Sequence, residues 1–149
     1  MIISFDMDDT LVSVDNRFQI ENRSLLQQAL GAEKLRQGTQ DLFRALTNRG
    51  HDIYIYTTSH RSKWKLRLSF AAYGLYPSRY ITGEENRATI SSRGLSISKH
   101  PSLFGIDLHV DDLAGVQIEA DHHGFQVVII SLDDVDWVDK VLKEVDKLI

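Results

Sequence analysis

The chain has 149 residues, 42% of them hydrophobic and 26% charged, with a formal charge of −4. This length and composition fit one globular domain with its own core, and they exclude a disordered or collagen-like chain. The absence of cysteine excludes disulfides, thiolate metal sites and cysteine nucleophiles. The apolar runs are too short to cross a membrane, and the N-terminus lacks the basic segment of a signal peptide. We therefore expect a single cytoplasmic domain over residues 1–149 with no membrane partner, and the negative charge argues against a broad nucleic-acid-binding surface.

Five short runs of apolar, β-favouring residues predict strands, and the segments between them are long enough for helices. The predicted strands cover residues 2–5, 53–56, 79–82, 106–110 and 127–130. The last of these is apolar on both faces, which is typical of a parallel sheet covered by helices.

Three of the segments between and after these strands carry clear helix signals. Residues 39–49 begin with a capping Thr and end before a glycine, and residues 113–123 end with two histidines before another. Residues 134–149 carry an apolar stripe from Val135 to Leu148, which should pack on the sheet.

Residues 63–72 fit both a strand and a helix pattern. We predict a helix with Trp64 and Leu68 on its apolar face, because two parallel strands need a crossover connection between them. The alternation of elements then predicts an α/β fold, a Rossmann-like three-layer sandwich with a mainly parallel sheet of about five strands.

Acidic and hydroxyl residues follow the predicted strands at their carboxyl ends. Asp6 and Asp8 follow the first strand, residues 57–59 the second and residues 111–112 the fourth, while Lys99 precedes the fourth. Ligands of such sheets bind beyond these ends, so the side chains should meet at one site. Carboxylates that close together need a cation to stay ionised, and oxygen ligands suit Mg²⁺.

The same residue types also occur in other kinds of site. An EF-hand loop starting at Asp6 would place Leu11 at its glycine position and Arg17 at its bidentate glutamate position, which excludes that motif. A receiver domain needs an aspartate at the end of the third strand, where this chain has no acid. Acids at strand ends also cap helices, and Lys99 could be an ordinary surface lysine.

The ordered set of motifs resembles that of the haloacid dehalogenase (HAD) superfamily. Residues 6–11, Asp-Met-Asp-Asp-Thr-Leu, resemble its first motif, and residues 56–59, Tyr-Thr-Thr-Ser, resemble its second. Lys99 is placed like the lysine of the third motif, and residues 110–112, Val-Asp-Asp, resemble the acidic fourth. The resemblance implies a Mg²⁺-dependent phosphomonoester hydrolase that works through an aspartyl-phosphate intermediate.

The same resemblance implies a role for each matched residue. Asp6 would be the nucleophile and Asp8 the general acid and base. Thr57 and Lys99 would hold the phosphoryl oxygens. The six histidines are interpreted as structural or solvated.

The resemblance also implies a metal site. Mg²⁺ would be held by Asp6, by the backbone carbonyl of Asp8 and by an acid of the fourth motif. In relatives the acid in the second place approaches the metal, so Asp112 is expected to be the direct ligand. Asp111 would then bind through water or orient Lys99.

The densest basic cluster follows the second motif and contains Arg61, Lys63, Lys65 and Arg67. It could steer a phosphate or a nucleotide, or it could be the solvated face of the crossover helix. Of this cluster, only Arg61 should lie near enough to contact substrate. Thr58, the less favoured alternative to Thr57 as the second-motif hydroxyl, is the other expected substrate-binding residue.

Chain length excludes a full cap domain, because residues 11–38 leave room only for a small flap or minimal cap with one short helix near 22–30. The chain thus resembles cap-less or minimally capped phosphatases, and residues 99–112 are similar to the small deoxyribonucleotidase-like branch. The expected partner is a phosphorylated small molecule, nucleotides included, or a phosphorylated macromolecule, and an oligomer is compatible with the sequence. Phosphotransfer to another acceptor and a catalytically silent phospho-ligand-binding module remain alternatives.

Overall fold

A parallel five-stranded sheet organises the computed structural model, which describes residues 1–149. The strands are β1 (Ile2–Phe5), β2 (Asp52–Tyr56), β3 (Arg79–Ile81), β4 (Leu108–Asp111) and β5 (Val127–Ile129). Their spatial order is β3-β2-β1-β4-β5, and all neighbouring strands are parallel. The central strand β1 therefore ends between the ends of β2 and β4.

Six α-helices connect and flank the strands. They are α1 (Leu25–Ala29), α2 (Thr39–Asn48), α3 (Lys63–Ala72), α4 (Gly83–Ser92), α5 (Ala114–His123) and α6 (Trp137–Lys147). A 3₁₀ turn covers Pro101–Phe104. The predicted α/β fold class and five-stranded parallel sheet are confirmed. Helix α4 was not predicted, because Ile90 is its only buried large apolar residue.

Alternation along the strands divides the core between the two faces of the sheet. Odd-numbered residues of β1 and β2, such as Phe5 and Ile55, pack in a 24-residue cluster with α2, α3 and α6. Smaller clusters around Tyr56 and Val116 lie on the opposite face. These two helical layers enclose the sheet and leave its carboxyl edge for the site.

The helix prediction for residues 63–72 is confirmed, but the predicted buried face is wrong. Leu66 and Phe70 are buried, whereas Trp64 is 63% exposed and Leu68 is partly exposed. The reason is that Leu66, Phe70 and Tyr73 form the i, i+4, i+7 stripe that faces the sheet.

Helix α6 begins later than predicted, so Val135, at 89% exposure, lies before it. The helix ends at Lys147, so Leu148 follows it and does not join its buried stripe either. The preceding residues form a turn in which the Asp134 carboxylate accepts a hydrogen bond from the Ser131 amide. The Arg36 guanidinium donates to the carbonyls of the same turn and holds it in a non-helical conformation.

Residues 11–38 contain α1 as their only helix, and no residue of α1 is buried. Two antiparallel bridges, Val12 with Leu35 and Ile20 with Arg36, close this segment on itself. No large cap covers the sheet, and the role of this segment as a flap stays a prediction. No helix has the length and apolar character needed to span a membrane.

Candidate active site

The chain turns sharply after β1, and this turn presents the first acids. The Asp6 amide still donates to the Val110 carbonyl at 2.9 Å, as a strand residue would. Asp9 has a φ of 58°, a left-handed conformation that aspartate tolerates better than most residues. Asp6 is therefore buried at the end of the central strand, while Asp8 lies at the rim with a half-buried side chain.

Lys99 lies between two aspartates at this edge. Its Nζ is 2.8 Å from Oδ1 of Asp6 and 2.5 Å from Oδ2 of Asp111, and its side chain is almost fully buried. Burial alone would lower the pKa of Lys99, but the two carboxylates outweigh it and raise that pKa above the usual range. Lys99 is therefore a charged residue of the site and not a surface lysine.

Hydrogen bonds on both sides of Lys99 fix its position. The residue before it accepts a hydrogen bond from Asn86 of α4 and donates two to Glu119 of α5. The amide of the residue after it donates to the Tyr56 hydroxyl at 3.1 Å, and that hydroxyl donates to Asn86. The unpredicted helix α4 thus helps to hold the lysine in place.

His109 supports Asp111 from below, in a buried position that sequence reasoning missed. Its Nε2 lies 3.0 Å from Oδ2 of Asp111, and its Nδ1 lies 2.7 Å from the Ser4 hydroxyl. Burial lowers the pKa of His109, so the ring is neutral near pH 7. Since a carboxylate only accepts, Nε2 carries the proton and Nδ1 accepts from Ser4. Ser4 and His109 are polar residues at paired positions of two otherwise apolar strands, β1 and β4, and this pairing could have predicted their contact.

Three carboxylates converge at this edge of the sheet. Oxygen atoms of Asp6, Asp111 and Asp112 all lie within 4.8 Å of one another. Burial raises the pKa of Asp6 against the pull of Lys99, and burial also raises the pKa of Asp112. One ammonium cannot compensate three carboxylates, and oxygen-only donors are those that Mg²⁺ prefers, so these residues fit a magnesium ion.

The two acids of the fourth motif differ in how many partners they already have. Asp111 accepts from Lys99, from His109 and from the Leu113 amide at 2.9 Å. These bonds and the Lys99 charge outweigh burial and lower the pKa of Asp111. Asp112 accepts one side-chain hydrogen bond, from Thr10 at 3.0 Å. Asp112 therefore has more lone pairs left for a metal ion.

The hydroxyl residues of the second motif also separate clearly. Thr57 is buried, its amide continues the sheet by donating to Ile81, and its hydroxyl lies 2.8 Å from that of Ser59. Thr58 is exposed, and its carbonyl oxygen occupies the space that a side chain on Gly83 would need. The structure thus places Thr57, rather than Thr58, at the inner end of β2.

Arg61 binds the predicted general acid directly. Its two terminal nitrogens lie 2.8 and 2.7 Å from the oxygens of Asp8, and its Nε lies 2.8 Å from Glu33. The contact with Glu33 had no signal in the sequence, because it depends on the conformation of residues 11–38. The Asp8 side chain is therefore paired with Arg61 and is not part of the carboxylate cluster.

Comparisons with known proteins bear on the fold. No protein-family model matches the chain, and no curated protein matches its sequence. A solved structure described as a predicted HAD-like family hydrolase from Porphyromonas gingivalis is similar, with a TM-score of 0.51 over 97% of each chain and 10% sequence identity. The chain has a HAD-like fold. At this identity the likeness concerns the architecture, and the resemblance to cap-less phosphatases or to the deoxyribonucleotidase-like branch stays a prediction.

Proposed function

We propose that this protein is a phosphomonoester hydrolase that uses Mg²⁺ and forms an aspartyl-phosphate on Asp6. The observation that carries the proposal is the buried Asp6–Lys99–Asp111 arrangement, with Asp112 beside it and Asp8 at the rim. A HAD-like fold with this set of groups at its carboxyl edge supports phosphoryl transfer over simple binding.

In the first step an oxygen of Asp6 attacks phosphorus and the bond to the leaving oxygen breaks. The leaving oxygen takes a proton from Asp8, so Arg61 must first release the carboxylate that it now holds. The Lys99 ammonium and the Thr57 hydroxyl stabilise the charge on the phosphoryl oxygens. In the second step Asp8 accepts a proton from water as that water attacks phosphorus, which regenerates Asp6 and releases phosphate.

The metal site would consist of Asp6, Asp112 and the backbone carbonyl of Asp8. Asp111 would serve chiefly to orient Lys99, as its bonds to Lys99 and His109 suggest. A bound Mg²⁺ would supply positive charge next to the phosphoryl oxygens, which lowers the barrier for attack by an anionic nucleophile.

The test is Mg²⁺-dependent hydrolysis of p-nitrophenyl phosphate. Asp6→Asn should abolish turnover and leave the folded state intact, because an amide cannot attack phosphorus. The matched control is Asp15→Asn, the same change at an exposed residue, which should keep wild-type activity. Wild-type activity in Asp6→Asn would refute the covalent mechanism.

Asp8→Asn separates the two acids. This variant should form the phosphoenzyme from p-nitrophenyl phosphate, whose leaving group needs little protonation, but should release it slowly. Acid–base assistance typically contributes about 10²–10⁴-fold, so the steady-state rate should fall by that order. Rapid-quench trapping of the phosphoenzyme measures this. If phosphate moves to an added alcohol instead of water, the protein is a phosphotransferase, and binding of phosphate esters without turnover would indicate a silent module.

A further inference from the structure

A groove of about 610 Å³ lies between residues 12–34 and the first half of α3. We refer to it as the α3 groove. Its apolar lining includes Val14, Leu30, Trp64 and Leu68, all of which are exposed to solvent. Its volume is typical of a small-molecule site. The Trp64 indole provides a flat apolar surface that packs against no core cluster.

The charges that line the α3 groove are mostly positive and have no anionic partner. Arg23 and Lys34 donate to uncharged oxygen atoms, and the Lys65 ammonium lies 6.0 Å from the centre of the Trp64 ring. The only acid in the lining is Glu33, whose carboxylate is already paired with Arg61. The groove therefore combines an apolar wall with three cations available for an anion.

Arg61 links the α3 groove to the predicted general acid. A single guanidinium, that of Arg61, contacts Glu33 in the groove and both oxygens of Asp8. A general acid must lie next to the oxygen that it protonates, so the leaving group must lie on the Asp8 side of phosphorus. The Arg61 bridge connects that side to Glu33 in the lining of the α3 groove.

We propose that the α3 groove binds the leaving group of the substrate, and that this leaving group is a flat aromatic ring that itself carries a negative charge. The inference rests on the proposed function and adds a substrate class to it. The ring stacks on Trp64, and the charge pairs with Lys34 and Lys65 at the rim. An uncharged aliphatic leaving group gains neither interaction.

The experiment compares two esters of nearly identical shape, 4-carboxyphenyl phosphate and its neutral analogue 4-carbamoylphenyl phosphate. We expect the wild type to prefer the carboxylate in kcat/KM by about three- to tenfold at low salt, the order that a few partly exposed ion pairs provide. The carbamoyl phenol is the better leaving group, because a neutral amide withdraws electrons more strongly than a carboxylate. Leaving-group acidity therefore cannot produce the expected preference.

Variants assign the effect to the α3 groove. The double variant Lys34→Gln with Lys65→Gln should remove the preference, because it lowers kcat/KM for the carboxylate ester more than for the carbamoyl ester. Lys143→Gln, the same change at an exposed lysine of α6 outside the groove, should keep the preference. Trp64→Ala should lower kcat/KM for both aryl esters about tenfold and leave glycerol phosphate unaffected.

The outcomes separate this inference from the proposed function. Hydrolysis of both aryl esters at equal kcat/KM, or a preference that survives the double lysine variant, overturns the substrate class and leaves the phosphatase proposal standing. Absence of hydrolysis with every ester overturns the proposed function. In that case the leaving-group site is tested by the binding of 4-carboxybenzylphosphonate, which is measured by the quenching of Trp64 fluorescence. If 4-carboxybenzylphosphonate binds no more tightly than its neutral analogue 4-carbamoylbenzylphosphonate, the proposed leaving-group site is overturned.

Discussion

The hydrogen bonds from Ser4 through His109 to Asp111 join two neighbouring strands directly beneath the carboxylate cluster. All three side chains are fully buried, so none of these polar groups has water as an alternative partner. We predict that Ser4→Ala and His109→Leu destabilise the protein in a strongly coupled way. The coupling follows from which buried groups each variant leaves without a partner.

His109→Leu removes one hydrogen bond from the Asp111 carboxylate and leaves the Ser4 hydroxyl buried without an acceptor. A hydrogen bond to a charged group contributes about 1.5–3 kcal/mol, and an unsatisfied buried polar group costs about 1–3 kcal/mol. The added apolar surface of leucine offsets part of this, so we expect a loss of about 2–4 kcal/mol. Ser4→Ala leaves Nδ1 of the histidine unsatisfied and should cost about 1–3 kcal/mol.

The double variant removes the serine–histidine bond at both ends and leaves neither of those groups orphaned. Its destabilisation should therefore be smaller than the sum of the single losses by about 0.5–3 kcal/mol, the range measured for directly contacting residues. Urea unfolding followed by circular dichroism near neutral pH measures each free energy, and equal m values would show that the unfolded state is unchanged. His122→Leu, at an exposed histidine of α5, should change stability by no more than about 0.5 kcal/mol.

Additivity of the two losses within about 0.5 kcal/mol would refute the proposed bonding of His109. Activity provides a second measurement. Ser4→Ala preserves the bond from His109 to Asp111 and should retain most of the proposed phosphatase activity. His109→Leu should lower kcat, because Asp111 loses one of the groups that orient it toward Lys99.

Two further predictions concern the neighbouring loops. Gly83→Ala should destabilise the protein by about 1–3 kcal/mol and lower activity, because a methyl group there would overlap the Thr58 carbonyl; Gly115→Ala, with open space around its added methyl group, should be neutral or stabilising by up to about 1 kcal/mol, as urea unfolding will show. Asp112→Ala should raise the Mg²⁺ concentration for half-maximal activity by more than about 100-fold, whereas Asp111→Ala should raise it by about 10–100-fold, the usual cost of losing a group outside the coordination shell. A larger rise for the Asp111 variant would reverse the assignment of the direct ligand.

The sequence predicted the sheet because each strand is a short run of apolar residues that ends at polar ones. It also predicted the convergence of Asp6, Lys99, Asp111 and Asp112, because the carboxyl ends of parallel strands share one edge of the sheet. Both inferences use only local pattern and chain order. They need no knowledge of how individual side chains turn.

The remaining features depend on tertiary contacts that no local pattern encodes. Helix α4 contains a single large apolar residue, Ile90, so it has no apolar periodicity that could predict a helix. In α3 the apolar residues suggest two possible faces, and packing against the sheet selects the one with Phe70. The pairing of Arg61 with Glu33 depends on a loop conformation, and loops follow hydrogen bonding more than apolar period.

The charges at the site support the proposal of a bound divalent cation. With His109 neutral, the three carboxylates and the single Lys99 ammonium leave two negative charges uncompensated in a largely buried site. A phosphate ester brings further negative charge and would be repelled, because buried charges are poorly screened. The raised pKa of Asp6 shows the same imbalance, since burial beside Asp111 disfavours the ionised nucleophile that the reaction needs. One Mg²⁺ would balance the two excess charges, and the phosphoryl group could then approach an ionised Asp6. The residues of this chain therefore support the proposed metal dependence independently of the resemblance.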